Sequence, residues 1–421
     1  MSTTSFSLSD FDAALKEVVQ PYIQDNVPKQ AKLMQVIKTN DGVEYMNDEF
    51  IVPIRSNRHT GVANLGGANN KLRTGASATT RGTVSPKYLT ATFDINDVLK
   101  KASENRKGAV ESAMSFQMKA IKNDFVKSVN RQYASDGIGI VAQVAGSVGA
   151  GTLTVQYPDS NLDDGRSENW YGTINGDIKP TKYLSVGTPG MAIGIGTAAA
   201  DVGTISSIAY NRGNSTGTIV VTGAPAIVAN DSVYIVDGDE EGANNEIQGY
   251  AAALASGTSS YAGLARTLDV WAPQTMGTAA NAALAIADMD SVYMDAIEYA
   301  EEGDRYAWFM NKSLYTKYGN LLQAMRRTVN KTELVSGWSG LEYEAGQGSV
   351  GVYLDYEVRD GEAVLLNLDT WTVAQVADMS FIEDGMPRRS DYITFQKVFT
   401  WYTNLFCKAP AANGRLFRRT K

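Results

Sequence analysis

Few residues in this sequence belong to the types that carry out catalysis or bind metals. The chain of 421 residues contains one histidine, His59, and one cysteine, Cys407. A serine or cysteine nucleophile needs a base that a packed core holds in place, and His59 lies in a glycine-rich stretch with few large apolar residues. We therefore expect a solvated loop histidine. Cys407 falls on the apolar side of a strand pattern, which predicts a small core residue. The sequence thus predicts no catalytic residue and no enzyme activity.

Motifs for phosphates, nucleotides and metals are equally sparse. The chain lacks a G-x-x-x-x-G-K-[ST] phosphate loop, and its Gly-Ile-Gly triplets at 137–139 and 194–196 lack the rest of a dinucleotide fingerprint. The acidic run from Asp237 to Glu241 offers carboxylates that Ca²⁺ favours, but it lacks the spacing of a known calcium loop. A single cysteine excludes an intrachain disulfide and a cysteine-ligated metal cluster. We expect no metal site and no cofactor.

Composition favours a folded protein with a sizeable core and two or three domains. The apolar fraction is 43% and the charged fraction 20%. No apolar run reaches the length of a membrane span, and the N-terminus lacks the pattern of a secretory signal. The net charge of −8 argues against a nucleic-acid-binding protein, because such proteins are usually basic.

The strongest periodic signal is a helical stripe from Ala109 to Ala134. Large apolar residues recur there every three or four positions: Val110, Met114, Met118, Ile121, Phe125, Val129 and Tyr133. This spacing predicts one long amphipathic helix, a structural spine. Polar residues, including Asn130 and Arg131, occupy the intervening positions, so we expect them on the solvent-facing side.

Residues 43–98 carry a different pattern. Two strand-like alternations, VEYMNDEFIVPI and YLTATFDI, enclose a long glycine-rich segment with too few large apolar residues to fill a core. We predict an extended two-stranded arm with its tip near Asn69 to Thr74. Four basic residues of this arm are candidates for contact with an acidic neighbour. They are Arg58, Lys71, Arg73 and Arg81.

The remaining segments alternate between helix and strand patterns. Prolines break an N-terminal helical pattern into an arm, and short strand patterns lie at 152–157, 182–186, 204–210, 218–222 and 232–236. These strands predict a small β-barrel or sandwich. Residues 281–303 and LYTKYGNLLQAMRRTV predict helices, YAWFMN a strand, and the Asp360-Gly361 pair a hairpin between VGVYLDYEV and AVLLNL. The sequence ends in one long strand pattern, ITFQKVFTWYTNLFC.

This order of parts resembles the major capsid protein of tailed bacteriophages, the Hong Kong 97 type of shell fold. FDAALKEVVQPYIQDNV resembles its N-terminal arm, and GVANLGGANNKLRTGASATTRGTVSPKYLTATFDIND its extended loop. EIQGYAAALASGTSSYAGLARTLDVWAP resembles the return from a β insertion. LYTKYGNLLQAMRRTVNKTELVSGWSGLEYEAG and VFTWYTNLFCKAPAANGRL resemble capsomer-centre and periphery segments.

The resemblance implies an α+β fold with a defined division of the chain. The expected parts are an N-terminal arm (1–42), an extended β-arm or E-loop with the start of a peripheral domain (43–98), the spine helix of that domain (99–137), an inserted all-β barrel or sandwich (138–270), an axial domain (271–385), and a return strand with the C-terminal tail (386–421). Some family members join subunits through lysine–asparagine crosslinks, which makes Lys71 a candidate.

The resemblance also implies the function of a structural shell protein. Hexamers and pentamers would tile an icosahedral phage head around double-stranded DNA, held without sequence-specific binding. Because the arm begins almost at Met1, a separate scaffolding protein is implied; a portal and a decoration protein are further expected partners. The expected location is the virion, with assembly in the bacterial cytoplasm and no contact with a membrane. The alternatives are an encapsulin-like nanocompartment, which shares the fold, and a phage tail or surface adhesin.

Overall fold

The structure is a computed structural model, and it describes most of the chain after the first thirty-one residues. The described residues are 32–37, 44–46, 48–57, 59–62, 64, 74–99, 101, 113–149, 151–156, 181–186, 191–195, 201–211, 216–223, 231–235, 245–256, 260–277, 282–325, 341–345, 348–382 and 394–421. Of the predicted N-terminal arm, only 32–37 fall within these ranges. The arm tip near Asn69 lies outside them, apart from Thr74.

Strands dominate a mixed α+β fold, as the family resemblance implies. The helices are α1 Lys32–Val36, α2 Ala113–Ala134, α3 Tyr250–Ala253, α4 Ile286–Ile297 and α5 Lys312–Met325, with 3₁₀ turns at Asp269–Trp271 and Pro410–Ala412. None of the helices in the described ranges is long and apolar enough to cross a membrane.

The strands are numbered in chain order. They are β1 Glu44–Met46, β2 Glu49–Arg55, β3 Thr79–Val84, β4 Lys87–Asn96, β5 Ile140–Gly149, β6 Thr152–Gln156, β7 Ala192–Ile195, β8 Asp201–Asn211, β9 Thr216–Thr222, β10 Ser232–Ile235, β11 Ser260–Tyr261, β12 Leu264–Ala265, β13 Gln274–Met276, β14 Ala282–Ala283, β15 Tyr306–Met310, β16 Leu341–Ala345, β17 Gly348–Leu354, β18 Ala363–Asn367, β19 Trp371–Ile382, β20 Thr394–Cys407, β21 Gly414–Leu416 and β22 Arg419–Thr420.

These strands form several sheets and one barrel. A six-stranded sheet has the order β13-β21-β18-β15-β17-β16, and two three-stranded sheets have the orders β19-β20-β4 and β1-β2-β3. Strands β10, β5, β6, β9, β8 and β7 close into a barrel. Two short strand pairs remain. β11 and β12 pair across a turn, and β14 and β22 pair although they are distant in sequence.

Helix α2 packs one side against the β19-β20-β4 sheet. The Phe125 ring meets Phe399 of β20 edge to face, with centroids 4.9 Å apart. Burial increases along the helix: Met118 and Ile121 are half-buried, whereas Val129 and Tyr133 are almost fully buried. The expectation that Asn130 and Arg131 face solvent is wrong. Both are buried, because Asn130 bonds to Asp355 and Arg131 to Glu246 in other segments of the chain that cover the last two turns.

A substitution pair measures how much of the helix stability comes from its buried face. We expect Val129→Asp to lower the free energy of unfolding by several kcal/mol, of a typical ~5–15 kcal/mol, because it buries a carboxylate without a partner. Lys122→Asp is the matched control, since Lys122 is exposed and only its ammonium lies 5.7 Å from the Phe381 ring. Its cost should be about 1 kcal/mol or less. Urea denaturation of both variants checks this; equal losses would contradict the described packing.

Four of the six barrel strands were predicted from the sequence pattern, and two were not. The predicted strands at 152–157, 204–210, 218–222 and 232–236 correspond to β6, β8, β9 and β10. The predicted strand at 182–186 is wrong, because Thr181–Tyr183 form a turn there. Strands β5 and β7 were not predicted, since small residues interrupt their alternation. Strand β10 pairs with both β5 and β7, which closes the barrel around an interior of valine, leucine and isoleucine.

Two further expectations fail in the six-stranded sheet. Gly361 does occupy a turn, with a φ of 76° and a bond from the Glu362 N–H to the Arg359 carbonyl, but β17 and β18 do not form a hairpin. Strand β15 lies between them, parallel to β17 and antiparallel to β18, because its nearly all-apolar sequence occupies the sheet centre. The helix predicted at 281–303 is shorter, since β14 pairs with β22 before α4 begins.

The two faces of this sheet pack against different parts of the protein. Trp308 and Met310 of β15 face a core that also contains apolar residues of α4 and α5. Ala307 and Phe309, at the alternate positions, face the large core shared with α2 and β20. The sheet therefore connects a layer carrying α4 and α5 to the part of the molecule that contains α2.

Candidate intersubunit site

The predicted two-stranded arm is built by β2 and β3, not by β2 and β4. β2 and β3 pair antiparallel from Phe50 opposite Val84 to Arg55 opposite Thr79. Past the strand ends, the Ser56 N–H donates to the Ala78 carbonyl at 3.0 Å. Strand β4 instead joins β20 in a separate sheet, because its alternating apolar residues pack there against α2.

The base and the outer part of this arm have different environments. At the base, Phe50 and Val84 are buried, and a Cβ on Gly82 would lie 3.0 Å from Cζ of Phe406. Farther out, residues 74–79 are exposed and Val62 is 83% exposed. The base is part of the subunit core, whereas the outer arm buries little against the described part of its own chain.

Only one of the four predicted contact residues can be placed. Arg81 lies exposed on β3, directly opposite Pro53 of β2. Arg58, Lys71 and Arg73 lie outside the described residues, so their clustering stays a prediction, as does the crosslinking role of Lys71. His59 is exposed, and its Nδ1 accepts a hydrogen bond from the Gly61 N–H at 3.0 Å, which is a local turn contact and not a catalytic arrangement.

Sequence reasoning missed a set of buried polar contacts around the end of α2, which we name the polar junction. Its first part seats α1. The Leu33 N–H donates to Asp355 Oδ2 at 3.1 Å and the Met34 N–H to Asn130 Oδ1 at 3.1 Å. Asn130 in turn donates to the Asp355 carboxylate. Because the first N–H groups of a helix lack intrahelical partners, Asp355 and Asn130 act as its cap from distant parts of the chain.

The pH dependence of stability tests this buried carboxylate. Burial raises the pKa of Asp355 above its ordinary value of 3.8, although hydrogen bonds from Glu357, Asn130 and Leu33 partly oppose the shift. A raised pKa means that the folded protein binds the proton more tightly than the unfolded chain, so this group stabilises most below its ordinary pKa. We expect its contribution to fall as pH rises from about 3.8 through the higher folded value.

The measurement is a series of urea denaturations of the wild type and Asp355→Asn between about pH 3.5 and 7, which spans the ordinary carboxyl pKa. Asparagine does not titrate, so the difference in free energy of unfolding, wild type minus variant, should decrease with rising pH. A difference that increases over this range would show that hydrogen bonding to the carboxylate outweighs its burial.

The second part of the polar junction is an ion pair between α2 and the segment after the barrel. The Arg131 guanidinium donates to both oxygens of Glu246, with one bond at 2.9 Å, and lies 5.4 Å from the Tyr183 ring. Burial by itself would lower the pKa of Arg131, but Glu246 raises it above its ordinary value. Tyr183 also donates to Glu357 at 2.7 Å, which connects the residues near the barrel to the segment after β17.

The third part joins the C-terminal strand to the turn before β18. Arg415 forms an ion pair with Glu362 at 3.1 Å, and their side chains are 0% and 6% exposed. Arg415 also donates to the Leu254 carbonyl, and the Tyr250 hydroxyl donates to Glu362. Burial, together with Glu362, raises the pKa of Tyr250, which keeps its hydroxyl protonated. These groups bond to one another away from solvent, so they fix the packing of the segments that carry them.

Residue type gave the only sequence signal for this junction. Lys119 and Lys122 of α2 are exposed and Lys127 is half-buried, whereas the covered last turns carry Asn130, Arg131 and Gln132. Arginine and amide side chains suit buried, directional hydrogen bonding better than lysine does. That difference marks the covered turns, but the partners are too distant in sequence to be identified.

The described residues contain no group of three or more histidine, cysteine, aspartate or glutamate side chains that could hold a metal ion. The acidic run from Asp237 to Glu241 lies outside them. Cys407 is buried and free, and burial raises the pKa of its thiol to about 12, so it is not an activated nucleophile.

Comparison by sequence gives no relative: no protein-family model matches, and no curated protein matches significantly. Solved structures do match. A chain of the capsid asymmetric unit of cyanophage A-1(L) has a TM-score of 0.54 and 13% identity, covering 97% of this chain and 98% of that chain. The capsid of cyanophage P-SCSP1u gives 0.48 and 8%, covering 99% and 96%. The SrpI encapsulin complex of Synechococcus elongatus gives 0.45 and 8%, covering 99% and 96%. The first likeness shows a shared fold over nearly the whole of both chains.

Proposed function

We propose that this chain, which has the Hong Kong 97 type fold of tailed-phage major capsid proteins, is the structural subunit of a phage head. The observation that carries the proposal is the likeness to the cyanophage A-1(L) capsid chain along almost the full length of both proteins. Subunits would assemble as hexamers and pentamers into a closed icosahedral shell around double-stranded DNA. The chain would have no enzymatic role.

The proposed division of the chain follows the expectations from sequence except at two strands. We assign β19, expected in the axial domain, to the peripheral domain, and β21, expected with the C-terminal tail, to the axial domain. Helix α2 and the β19-β20-β4 sheet would form the peripheral domain, and the six-stranded sheet with α4 and α5 the core of the axial domain. The barrel would be an inserted domain within 138–270, and the β2-β3 pair the base of the E-loop. What supports this division is that the barrel and the sheet beneath α4 and α5 each have a separate apolar cluster.

The exposed outer arm supports an assembly function in physical terms. Its described residues bury almost nothing within the subunit, and a long unpacked segment loses more conformational entropy than its own contacts return. An arm that lies across a neighbouring subunit resolves this, since its contacts then form part of a repeated interface. Arg81, and with it Arg58, Lys71 and Arg73, would contribute charge contacts there.

The proposed partners beyond further copies of the chain are a scaffolding protein, a portal, a decoration protein, and DNA held without sequence-specific binding. The proposed location is the virion, after assembly in the host cytoplasm. The acidic balance of −8 suits a container, because a basic inner wall would bind the phosphate backbone and hinder DNA release.

Sedimentation velocity tests self-association. A concentrated sample, alone and co-expressed with the scaffolding protein, should contain capsomers or shells in place of a monomer peak. A strict monomer at every salt concentration and with scaffold present would contradict the proposal. Nuclease-protected DNA in shells from infected cells would support a phage head, whereas shells filled with protein would favour the encapsulin-like alternative.

A further inference from the structure

The helices α4 and α5 carry opposite charge. Within its bounds, α4 has the sequence IADMDSVYMDAI, with three aspartates and no basic residue. Asp295 is exposed, as are Glu298 and Glu301 just beyond the helix. Helix α5, KSLYTKYGNLLQAM, has two lysines and no acidic residue, and Lys312 is exposed while Lys317 is half-buried.

The two helices lie on the same face of the six-stranded sheet but towards opposite edges. Apolar residues of both pack against Trp308 and Met310 in one cluster. Helix α4 packs over β13 and β21, at one edge, whereas α5 packs against β17, next to the other edge, and also contacts β22. Since three strand spacings separate β21 from β17, the two contact regions are roughly 14 Å apart across the sheet. We name the end of α4 that carries Asp295, with Glu298 just beyond it, the acidic flank, and the part of α5 that carries Lys312 and Lys317 the basic flank.

The charges on these flanks are not neutralised within the described part of the subunit. No ion pair there involves the side chains of Asp295, Glu298, Lys312 or Lys317; Asp288, nearer the start of α4, does pair with Arg419. Among the acidic residues of α4, Met294 is 47% exposed. An exposed apolar side chain with a charged surround has the composition of an interface centre and its polar rim.

We propose that the acidic flank of α4 in one copy of this chain docks against the basic flank of α5 in the next copy. The contact is head-to-tail, and a head-to-tail contact with a closing rotation generates rings. Charge complementarity would fix which flanks meet, because a contact between two acidic flanks or between two basic flanks places like charges together. The inference rests on the proposed function, and it assigns α4 and α5 to the contact between neighbours around a capsomer.

Charge reversal tests the pairing. We expect Asp295→Lys with Glu298→Lys, and separately Lys312→Glu with Lys317→Glu, each to reduce the fraction of protein in capsomers by about tenfold or more at low salt. Each substituted residue lies at least partly in solvent, so the melting temperature should not change. The variant with all four substitutions has its charges exchanged and should assemble again.

A mixture of the two double variants gives a sharper result. One variant then has both flanks basic and the other both acidic, so neighbours can pair only in alternation. An alternating ring must have an even number of members. We expect the mixture to restore six-membered rings but not five-membered rings, as counted in class averages from electron microscopy.

The outcomes separate this inference from the proposed function. If the wild type forms shells and both double variants do so equally well, the α4–α5 contact is wrong while the shell function stands. If the double variants fail and neither the fourfold variant nor the mixture assembles, the two flanks do not contact each other. If the wild type itself forms neither rings nor shells under any condition, the proposed function fails first.

Discussion

Removing residues 62–74 from the arm should abolish closed shells while leaving the subunit folded. The removed residues lie beyond the β2–β3 base, whose buried side chains Phe50, Val52 and Val84 remain in place. Gly61 and Gly75 lie in direct backbone contact, so the chain can be rejoined there without moving the strands. Val62, Asn64 and Thr74, the described residues of the removed segment, are exposed. Exposed residues contribute little to global stability, so we expect the melting temperature to change by only a few degrees, roughly 2–4 °C per kcal/mol.

The shell should respond much more strongly, because the arm contact is repeated at every subunit. Individual exposed charge contacts contribute only about 1 kcal/mol or less, but their loss from every interface shifts the assembly equilibrium cooperatively. Sedimentation and thermal melting are measured on the same sample. Normal shells from the shortened protein would show that the arm is not an intersubunit element, and outright unfolding would show that the removed residues belong to the core.

Glu362→Ala should cause the largest loss of subunit stability, about 3–5 kcal/mol. The substitution leaves Arg415 without its carboxylate at a position where the guanidinium is 0% exposed. Removing one member of a buried ion pair costs more than the pair contributes, because the remaining guanidinium loses its carboxylate where water cannot replace it. The matched control is Asp369→Ala, whose partner Arg305 is 50% exposed and lies at 2.7 Å. Water replaces the lost carboxylate there, so the control should cost about 1 kcal/mol or less.

Urea denaturation of both variants provides the comparison. Since the total stability of a typical domain is ~5–15 kcal/mol, Glu362→Ala could leave too little folded protein to measure. Glu362→Gln then serves in its place: it keeps an acceptor for Arg415 and Tyr250 but loses the charge, and it should fall between wild type and alanine. Equal, small losses of stability on substitution of Glu362 and Asp369 would mean that water reaches Arg415 and that the polar junction does not exclude solvent.

Patterns that act locally allowed much of the fold to be predicted. The apolar stripe along α2 predicted its length and its packed side, and alternation predicted β6, β8, β9, β10 and the long β20. The capsid fold suggested by the order of these parts is confirmed by the likeness to the cyanophage A-1(L) capsid chain. The local pattern suffices here because the spacing of the apolar residues reports which side of each helix or strand is buried.

Pairing between distant segments could not be predicted. The Asp-Gly turn between β17 and β18 has the chemistry of a hairpin, yet β15 from forty residues upstream lies between the two strands. The partners in the polar junction are equally remote: 322 residues separate Leu33 from Asp355, and 115 separate Arg131 from Glu246. A polar residue that is buried with a distant partner has the same local pattern as one that faces water. For the arm, the buried base and part of the exposed outer segment are described but most of the tip is not, so the intersubunit contact of the tip stays a prediction.

Electron microscopy of the purified protein tests the central claim most directly. The protein should be expressed with and without its scaffolding protein, fixed in low salt and imaged in negative stain. We expect closed, thin-walled shells with hexameric and pentameric clusters, or free rings of five and six subunits at lower concentration. Fibres, isolated trimers or a uniform field of monomers would contradict it.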